Sequence, residues 1–264
     1  MTADAPVLLE TNDQGVLTIR LNRPDRLNAL ILDSVRQVRN AIEDAQTDDA
    51  VRAIVLTGDA RSFSSGADLQ AKAEAKAAGI EEPGSLLDDA NEIVMALRDS
   101  TVPSVAAVNG AAAGVGCSLA LACDYVVVDP KSFFMLAFTK IGLMPDGGAT
   151  ALVSASAGRH RAMRMALTAE RVYGEQALEW GLASELVDEG TQLARAQEIA
   201  ATFAAGPPLS LSATRRAINE IALPTLRSDL DREVVGQTQL LASSDAAEGA
   251  AAFREKRAPQ YTGA

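Results

Sequence analysis

Residues 101–128 read TVPSVAAVNGAAAGVGCSLALACDYVVV: a short apolar strand, a break of small residues over 109–116, an apolar helical run and, after Asp124, a second buried strand. A strand that ends in a glycine-rich turn and feeds straight into a helix gathers unpaired backbone N–H groups and the positive end of the helix dipole at one spot. Such a spot stabilises an anion or a developing oxyanion. A second strand end of small residues follows the β-branched run at 53–57, in FSSGADL at 63–69. Two strand ends, each offering one backbone N–H, can hold a single carbonyl oxygen from both sides. A dinucleotide site is the competing use of Gly114-Val115-Gly116. It fits poorly, because Leu119 stands where the third glycine belongs and Asp124 arrives too early to reach a ribose.

Other reactive side chains read as structural. Asp88 and Asp89 open a predicted helix, where an acidic pair is usually solvated and favoured by the helix dipole. The single histidine, His160, lies among Arg159, Arg161 and Arg164 and reads as a surface residue, not a base. Cys117 and Cys123 fall in the central apolar segment and read as buried small hydrophobes, not a disulfide or metal pair. No cluster of His, Cys and carboxylates stands at ligand spacing, so no metal is expected.

The elements that must position the two turns follow from periodicity. A hairpin is predicted over 7–21 around Asn12-Asp13-Gln14-Gly15. Leu32, Val35, Val38 and Ile42 predict a helix over 32–45, and Leu86, Ala90, Ile93, Val94 and Leu97 another over 86–97. Between them, 70–84 is rich in Ala, Lys and Glu, ends in Glu81-Glu82-Pro83-Gly84, and carries little to anchor it to a core. An extended segment at 132–143, with the apolar run 133–138 inside it, leads to a turn at Pro145-Asp146-Gly147-Gly148, then to helical stretches at 149–169, 175–180 and 191–205 with a short strand at 183–187. Gly206-Pro207-Pro208 divides the chain into 1–205 and 206–264. Beyond it three helices are predicted, over 209–221, 225–241 and 245–256, too few for a core of their own.

With 264 residues, 48% of them hydrophobic, the chain can bury one sizeable core. A formal net charge of −11 argues against nucleic acid and anionic membrane as partners. Residues 1–6 lack the basic and apolar parts of a signal peptide and no apolar run reaches a membrane span, so a cytoplasmic location is expected.

Five motifs, LNRPDRLNAL at 21–30, RSFSSGADL at 61–69, AVNGAAAGVGCSLALACDYVVV at 107–128, IGLMPDGGAT at 141–150 and EGAAAFREKRAP at 248–259, resemble, in themselves and in their order, the enoyl-CoA hydratase/isomerase (crotonase) superfamily. The resemblance covers nearly the whole chain. It implies an α/β crotonase (ClpP/crotonase) spiral of β-β-α units with a helical C-terminal trimerisation region, assembled as a homotrimer or as a hexamer made of two trimers. It also implies an acyl-CoA thioester as substrate and no cofactor beyond that substrate's own coenzyme A.

Carried over position by position, the resemblance makes the N–H groups of Ala67 and Val115 the oxyanion donors. Arg26, Leu27, Ala29, Ser65, Asp68, Gly114, Phe138, Phe253 and Lys256 become the candidates for binding substrate and CoA. Arg26 would meet a CoA phosphate by charge attraction, with a solvated loop arginine as the alternative. Asp68 reads as holding its turn together. Phe253 would line an acyl pocket and Lys256 reach CoA, in some family members from the neighbouring subunit. The two glutamates that position and activate water in the family's hydratases match Ser118 and Phe138 here, so both carboxylates are missing. Val115 stands where many members carry glycine. The phrases GVGCSLAL and IGLMPDGGAT resemble the isomerase branch, including enoyl-CoA isomerases and the ring-epoxide isomerase of phenylacetyl-CoA breakdown. There an aspartate matching Asp146 is the acid-base group, although Pro-Asp-Gly-Gly is also an ordinary turn sequence. A double-bond shift needs one carboxylate, whereas hydration by the family's route needs two. The expectation is an isomerase; a weak hydratase and a non-catalytic acyl-CoA-binding protein are the alternatives.

Overall fold

The computed structural model describes residues 5–59, 61–80 and 84–264. The Glu81-Glu82-Pro83 end of the Ala-, Lys- and Glu-rich stretch lies outside the described residues.

The predicted hairpin forms: β1 (Val7–Thr11) pairs antiparallel with β2 (Val16–Leu21). Its turn is closed by Gly15 at φ 77° and by the Asn12 side chain, which accepts from the N–H groups of Gln14 and Val16. A 3-10 turn at Pro24–Arg26 leads to α1 (Leu32–Ala45). Three strand-strand-helix units follow. β3 (Ala53–Thr57) and β4 (Ser62–Ser64) precede α2 (Leu69–Ala77) and α3 (Leu86–Asp99). β5 (Ser104–Val108) and β6 (Ala111–Ala113) precede α4 (Val115–Leu121). β7 (Tyr125–Val128) and β8 (Phe133–Met135) precede a 3-10 helix, Ala137–Ile141, and then α5 (Ala149–Ala157) and α6 (Arg159–Thr168). The chain closes with β9 (Val172–Tyr173), α7 (Gly174–Trp180), β10 (Glu185–Leu186), α8 (Gln192–Ala205), α9 (Pro208–Ala222), α10 (Leu226–Leu241) and α11 (Ser244–Glu255).

The first strand of each unit enters a six-stranded sheet, β1-β2-β3-β5-β7-β10, parallel from β2 onward. The second strand enters a four-stranded sheet, β4-β6-β8-β9, with β4, β6 and β8 parallel. This is the expected spiral of β-β-α units. The large sheet is covered on both faces, which is why its strands read as continuous apolar runs instead of alternating ones. Ile54, Leu56, Ala106, Val108, Val126 and Val128 face the main core. Their neighbours Ala53, Val55, Val105, Ala107 and Val127 face α8, which lays Ala196, Ile199, Ala200 and Ala204 over them. Burying each Val, Ile or Leu side chain there contributes about 1.5–3 kcal/mol.

Three local expectations are corrected. The segment 133–138 is not all strand: β8 pairs with β6 only from Ala111↔Phe133 to Ala113↔Met135. β6 then ends at Gly114, whose φ of 54° turns the chain away, so Phe138 has no strand to pair with and sits in the 3-10 helix instead. The helical stretch 149–169 is broken at Gly158, at φ 80° and ψ 159°, into α5 and α6. The break of small residues at 109–116 holds a short strand of its own, β6, because alanines fit where two backbones pack closely.

The three C-terminal helices dock on the spiral instead of standing apart. Arg215 of α9, 9% exposed, reaches through to Asp124 at 2.7 Å and to the carbonyls of Leu97, at 2.8 Å, and Ser100, while Leu226 and Leu230 of α10 join the main core. No helix among the described residues is long and apolar enough to cross a membrane.

Candidate active site

Parallel pairing of β4 with β6, Ser62 opposite Ala111 and Ser64 opposite Ala112, makes their carboxyl ends finish side by side. Both chains then turn at a glycine. Gly66 has φ 92°, and Gly114 has φ 54° with ψ −132°, conformations that a Cβ strongly disfavours. The turns touch, since a Cβ built on Gly66 would stand 2.8 Å from the Ala113 carbonyl oxygen and 3.5 Å from Gly114 Cα. The residues that follow the two glycines are Ala67 and Val115.

Ala67 is bridged in parallel fashion to Leu30, which donates to Gly66 O at 2.7 Å and accepts from Asp68 N at 2.9 Å. That pattern turns the Ala67 N–H away from Leu30, and it meets no acceptor among the described residues. Val115 is the first residue of α4, so its N–H is one of the donors that a helix start leaves unpaired, and it too meets no acceptor among the described residues. The valine side chain is accommodated: it is buried, and its Cγ2 lies 3.2 Å from where a Cβ on Gly147 would stand. Gly116, one residue on, is pressed against Ser64 so closely that a Cβ would stand 2.7 Å from that serine's own Cβ. The start of α4 is thereby locked onto the end of β4.

Asp146 comes to the same place on the loop before α5. A Cβ on the adjacent Gly147 would meet both Val115 and Ser118 of α4 within 3.3 Å. Ser118, fully buried, donates its hydroxyl to the Asp146 carbonyl oxygen at 2.9 Å. The Asp146 carboxylate, 9% exposed, accepts from Gln237 Nε2 at 2.6 Å. Phe138 is buried against the glycine turn, its Cζ 3.8 Å from where a Cβ on Gly114 would stand. One aspartate, one committed serine hydroxyl and one phenyl ring therefore lie around the turn that opens α4. Cys117, one residue before Ser118, is buried and its thiol is pushed up to about 12 by burial, which removes it as a nucleophile.

The loop 23–30 forms a lip beside the first turn. Leu27 and Asn28 both take left-handed conformations, φ 50° and 53°. The buried Asn28 explains why: its side-chain amide donates to Ser62 O at 2.7 Å and accepts from Arg23 N at 2.8 Å, while its carbonyl takes the Ser64 hydroxyl at 2.9 Å. Ser65 N donates to Leu27 O at 3.0 Å, so Arg26, Leu27, Ala29 and Ser65 are gathered next to Ala67. Arg26 is exposed and reaches Gln70 at 2.6 Å. Asp68 turns inward, pairing with Arg23 at 2.9 Å and accepting from Ala71 N at 2.9 Å. Burial alone would raise its pKa, but the Ala71 amide, Arg23 and the charge of Arg26 together outweigh that and hold the carboxyl below the usual range.

Other candidates fall elsewhere. Asp88 is exposed, but Asp89 is buried and not solvated as expected, because Arg36, at 3.1 Å, and Arg39 of α1 both bind its carboxylate and tie α3 to α1. His160 is exposed on α6. Among the described residues no group of three or more His, Cys, Asp or Glu is placed to hold a metal. Phe253 is 64% exposed and Lys256 is exposed at the end of α11, which packs on the 3-10 helix bearing Phe138 through Gly249 against Ile141. Sequence reasoning missed Gln237 and Glu233. Glu233, 1% exposed, accepts from Gly148 N at 2.7 Å, Thr150 N at 2.9 Å and the Thr150 hydroxyl, capping α5. A signal was present: Leu226, Leu230, Glu233 and Gln237 continue one buried stripe of α10, so two polar residues occupy core positions.

A spiral of β-β-α units built on a six-stranded and a four-stranded sheet is the crotonase fold. The comparisons agree. The family model described as enoyl-CoA hydratase/isomerase matches residues 11–264. A solved enoyl-CoA hydratase from Mycobacterium avium subsp. paratuberculosis K-10 superposes with a TM-score of 0.89 at 41% identity, covering 98% of this chain and 99% of that one. The 1,2-epoxyphenylacetyl-CoA isomerase of Escherichia coli (strain K12) is 37% identical over 257 residues, 97% of this chain and 98% of its own length. The 2,3-dehydroadipyl-CoA hydratase of the same strain is 36% identical over 256 residues, 97% and 98% of the two chains. The chain belongs to the enoyl-CoA hydratase/isomerase family, whose enzymes act on acyl-CoA. An isomerase and a hydratase stand at nearly equal identity, so overall likeness does not choose between the two reactions.

Proposed function

We propose that this protein is an enoyl-CoA isomerase, shifting a double bond in an acyl-CoA thioester through an enolate held by the N–H groups of Ala67 and Val115. The observation that carries the reading is the set of side chains at the turn that opens α4: among the described residues Asp146 is brought against Val115 and Ser118, Asp68 is engaged by Arg23 and Ala71 N, Ser118 spends its hydroxyl on the Asp146 carbonyl, and Phe138 has no proton to give. In a 3-enoyl thioester, hydrogen bonds from the two N–H groups make the C2 proton acidic by stabilising the charge that develops on the thioester oxygen. Asp146 takes that proton, the charge spreads over a dienolate, and the same carboxyl returns the proton to C4, leaving the double bond between C2 and C3. Atoms balance without water, and one carboxylate serves both steps.

Hydration by the two-glutamate route has no second group to hold and activate water. General acid-base groups typically contribute about 100- to 10,000-fold each, so water addition is expected to be slow. Arg26, Leu27, Ala29 and Ser65 form the lip along which the CoA moiety lies in this reading. Assembly into trimers or hexamers accounts for the exposed Phe253 and Lys256, which then complete a neighbour's acyl and CoA sites. A non-catalytic acyl-CoA-binding protein is the second reading, favoured by one observation: hydrogen bonds from Gln237 and Ser118 to Asp146 would also suit an aspartate that only shapes its loop.

The test is product analysis with the unmodified protein on a 3-enoyl-CoA and, separately, a 2-enoyl-CoA. The reading predicts conversion of the first to the conjugated thioester and at most slow hydration of the second. Hydration as fast as by a glutamate-bearing hydratase run alongside would overturn it. Tight binding without turnover across short, long and ring-bearing chains would favour the binding protein.

A further inference from the structure

We infer that Gln237, on the C-terminal helix α10, is a positioning residue for the Asp146 carboxylate, so that the helical tail completes the catalytic site of its own chain. The inference rests on the reading of Asp146 as the acid-base group. Gln237 is 3% exposed and comes from ninety-one residues further along the chain. Its amide makes three contacts: Nε2 donates to Asp146 Oδ2 at 2.6 Å and to the Met144 carbonyl at 3.1 Å, and Oε1 accepts from Met144 N at 3.3 Å.

These contacts fix which way the amide faces. The Met144 N–H needs an acceptor, so Oε1 must point to it, and the NH2 group is left facing the Met144 carbonyl and Asp146. Toward the aspartate, Gln237 is therefore a donor with no proton to exchange and no charge to add. It holds one carboxylate oxygen by a hydrogen bond and sets the plane in which the carboxylate meets a substrate. Glu233, one turn earlier on the same face, grips only the loop's main chain and Thr150, at Gly148 N and Thr150 N. Of these two side chains, only Gln237 is shown touching the group that would carry the proton. Ser118 fixes the same residue by its main-chain carbonyl.

The experiment compares the full-length parent with Gln237→Met, which keeps length and volume and removes all three hydrogen bonds, and with Asp146→Asn. For the methionine variant, kcat on a 3-enoyl-CoA should fall roughly 10- to 100-fold. KM and the Kd for a saturated acyl-CoA should change less than about threefold, since the lip and both N–H donors are untouched. A merely structural glutamine would instead lower thermal stability or weaken binding while the folded fraction kept its kcat, and that result would overturn the inference. If Gln237→Met does not fold, Gln237→Glu decides. It keeps the shape and the acceptor for Met144 N but turns the donor facing Asp146 into an acceptor, so kcat should fall at least as far. An undiminished kcat in a folded Gln237→Glu would overturn the inference. The Asp146→Asn arm separates the two levels: unchanged activity there refutes the reading of Asp146, whereas a collapse there with full kcat in the glutamine variants refutes this inference alone.

Discussion

Removing the Val115 N–H is possible without disturbing the helix it opens. Val115 is the first residue of α4 and its N–H meets no acceptor among the described residues, so Val115→Pro breaks no backbone hydrogen bond of the described chain. Proline suits the first helical position, keeps three side-chain carbons, and clashes with a preceding residue mainly when that residue is helical; Gly114 has ψ −132°, far from that range. The fold should therefore survive with little change in melting temperature. What is lost is one of two donors to the oxyanion, worth about 3 kcal/mol in the transition state, or roughly 150-fold in kcat. The assay is conversion of a 3-enoyl-CoA to its conjugated isomer, followed by the absorbance of the conjugated thioester, with thermal unfolding measured in parallel. Replacing the Val115 amide by the corresponding ester removes the N–H without a ring and controls for crowding. A folded proline variant and a folded ester variant that both turn over within about threefold of the parent would refute the assignment of Val115.

Two further outcomes are expected. Glu233 has its carboxyl raised above the ordinary glutamate value of 4.5, by burial first, with the Thr150 and Gly148 donors pulling back. A raised folded-state value means that the native state binds the extra proton, so this group's contribution to stability is fullest below pH 4.5 and declines as pH rises through the folded value. Urea unfolding of the parent and Glu233→Gln should show the parent losing ground relative to the variant as pH rises from about 4.5; a flat difference, or one moving the other way, would count against this. Light scattering at micromolar concentration should find a trimer or a hexamer, and removing residues 243–264 should weaken both assembly and CoA-thioester binding. A monomer, or a truncated chain that keeps both properties, would remove the proposed roles of Phe253 and Lys256.

The two turns were legible because local chemistry writes them. Gly66 and Gly114 adopt backbone conformations that other residues resist, the β-branched runs before them mark the strands, and apolar runs without alternation mark a sheet covered on both faces. Most helices were legible from their spacing to within a residue or two; the exceptions are α2, whose Ala-, Lys- and Glu-rich stretch has no apolar period to mark it, and the stretch that a single glycine, Gly158, breaks although its apolar residues do not. What was not legible is long-range. Gln237 meets Asp146 across ninety-one residues, and nothing in the local sequence of either names the other. The buried state of Asp89 likewise depends on Arg36 and Arg39 arriving from another helix, so the local rule that a first-turn acid is solvated fails there. Phe138 was placed in a strand because its run is apolar, yet a strand needs a partner and β6 had already turned away at Gly114.

The central claim, that Asp146 carries the proton, is tested most directly by Asp146→Asn with kcat on a 3-enoyl-CoA and the Kd of a saturated acyl-CoA measured on the same preparation. Asparagine keeps the size of the side chain, the main-chain bond to Ser118 and a carbonyl able to accept from Gln237, and removes only the base. The account predicts a fall in kcat of about 100- to 10,000-fold with the Kd essentially unchanged, the pattern of a group that acts in the chemical step and not in ground-state binding. A variant that keeps its activity would show that another group moves the proton, and one that loses binding and stability together with activity would show that Asp146 only shapes its loop.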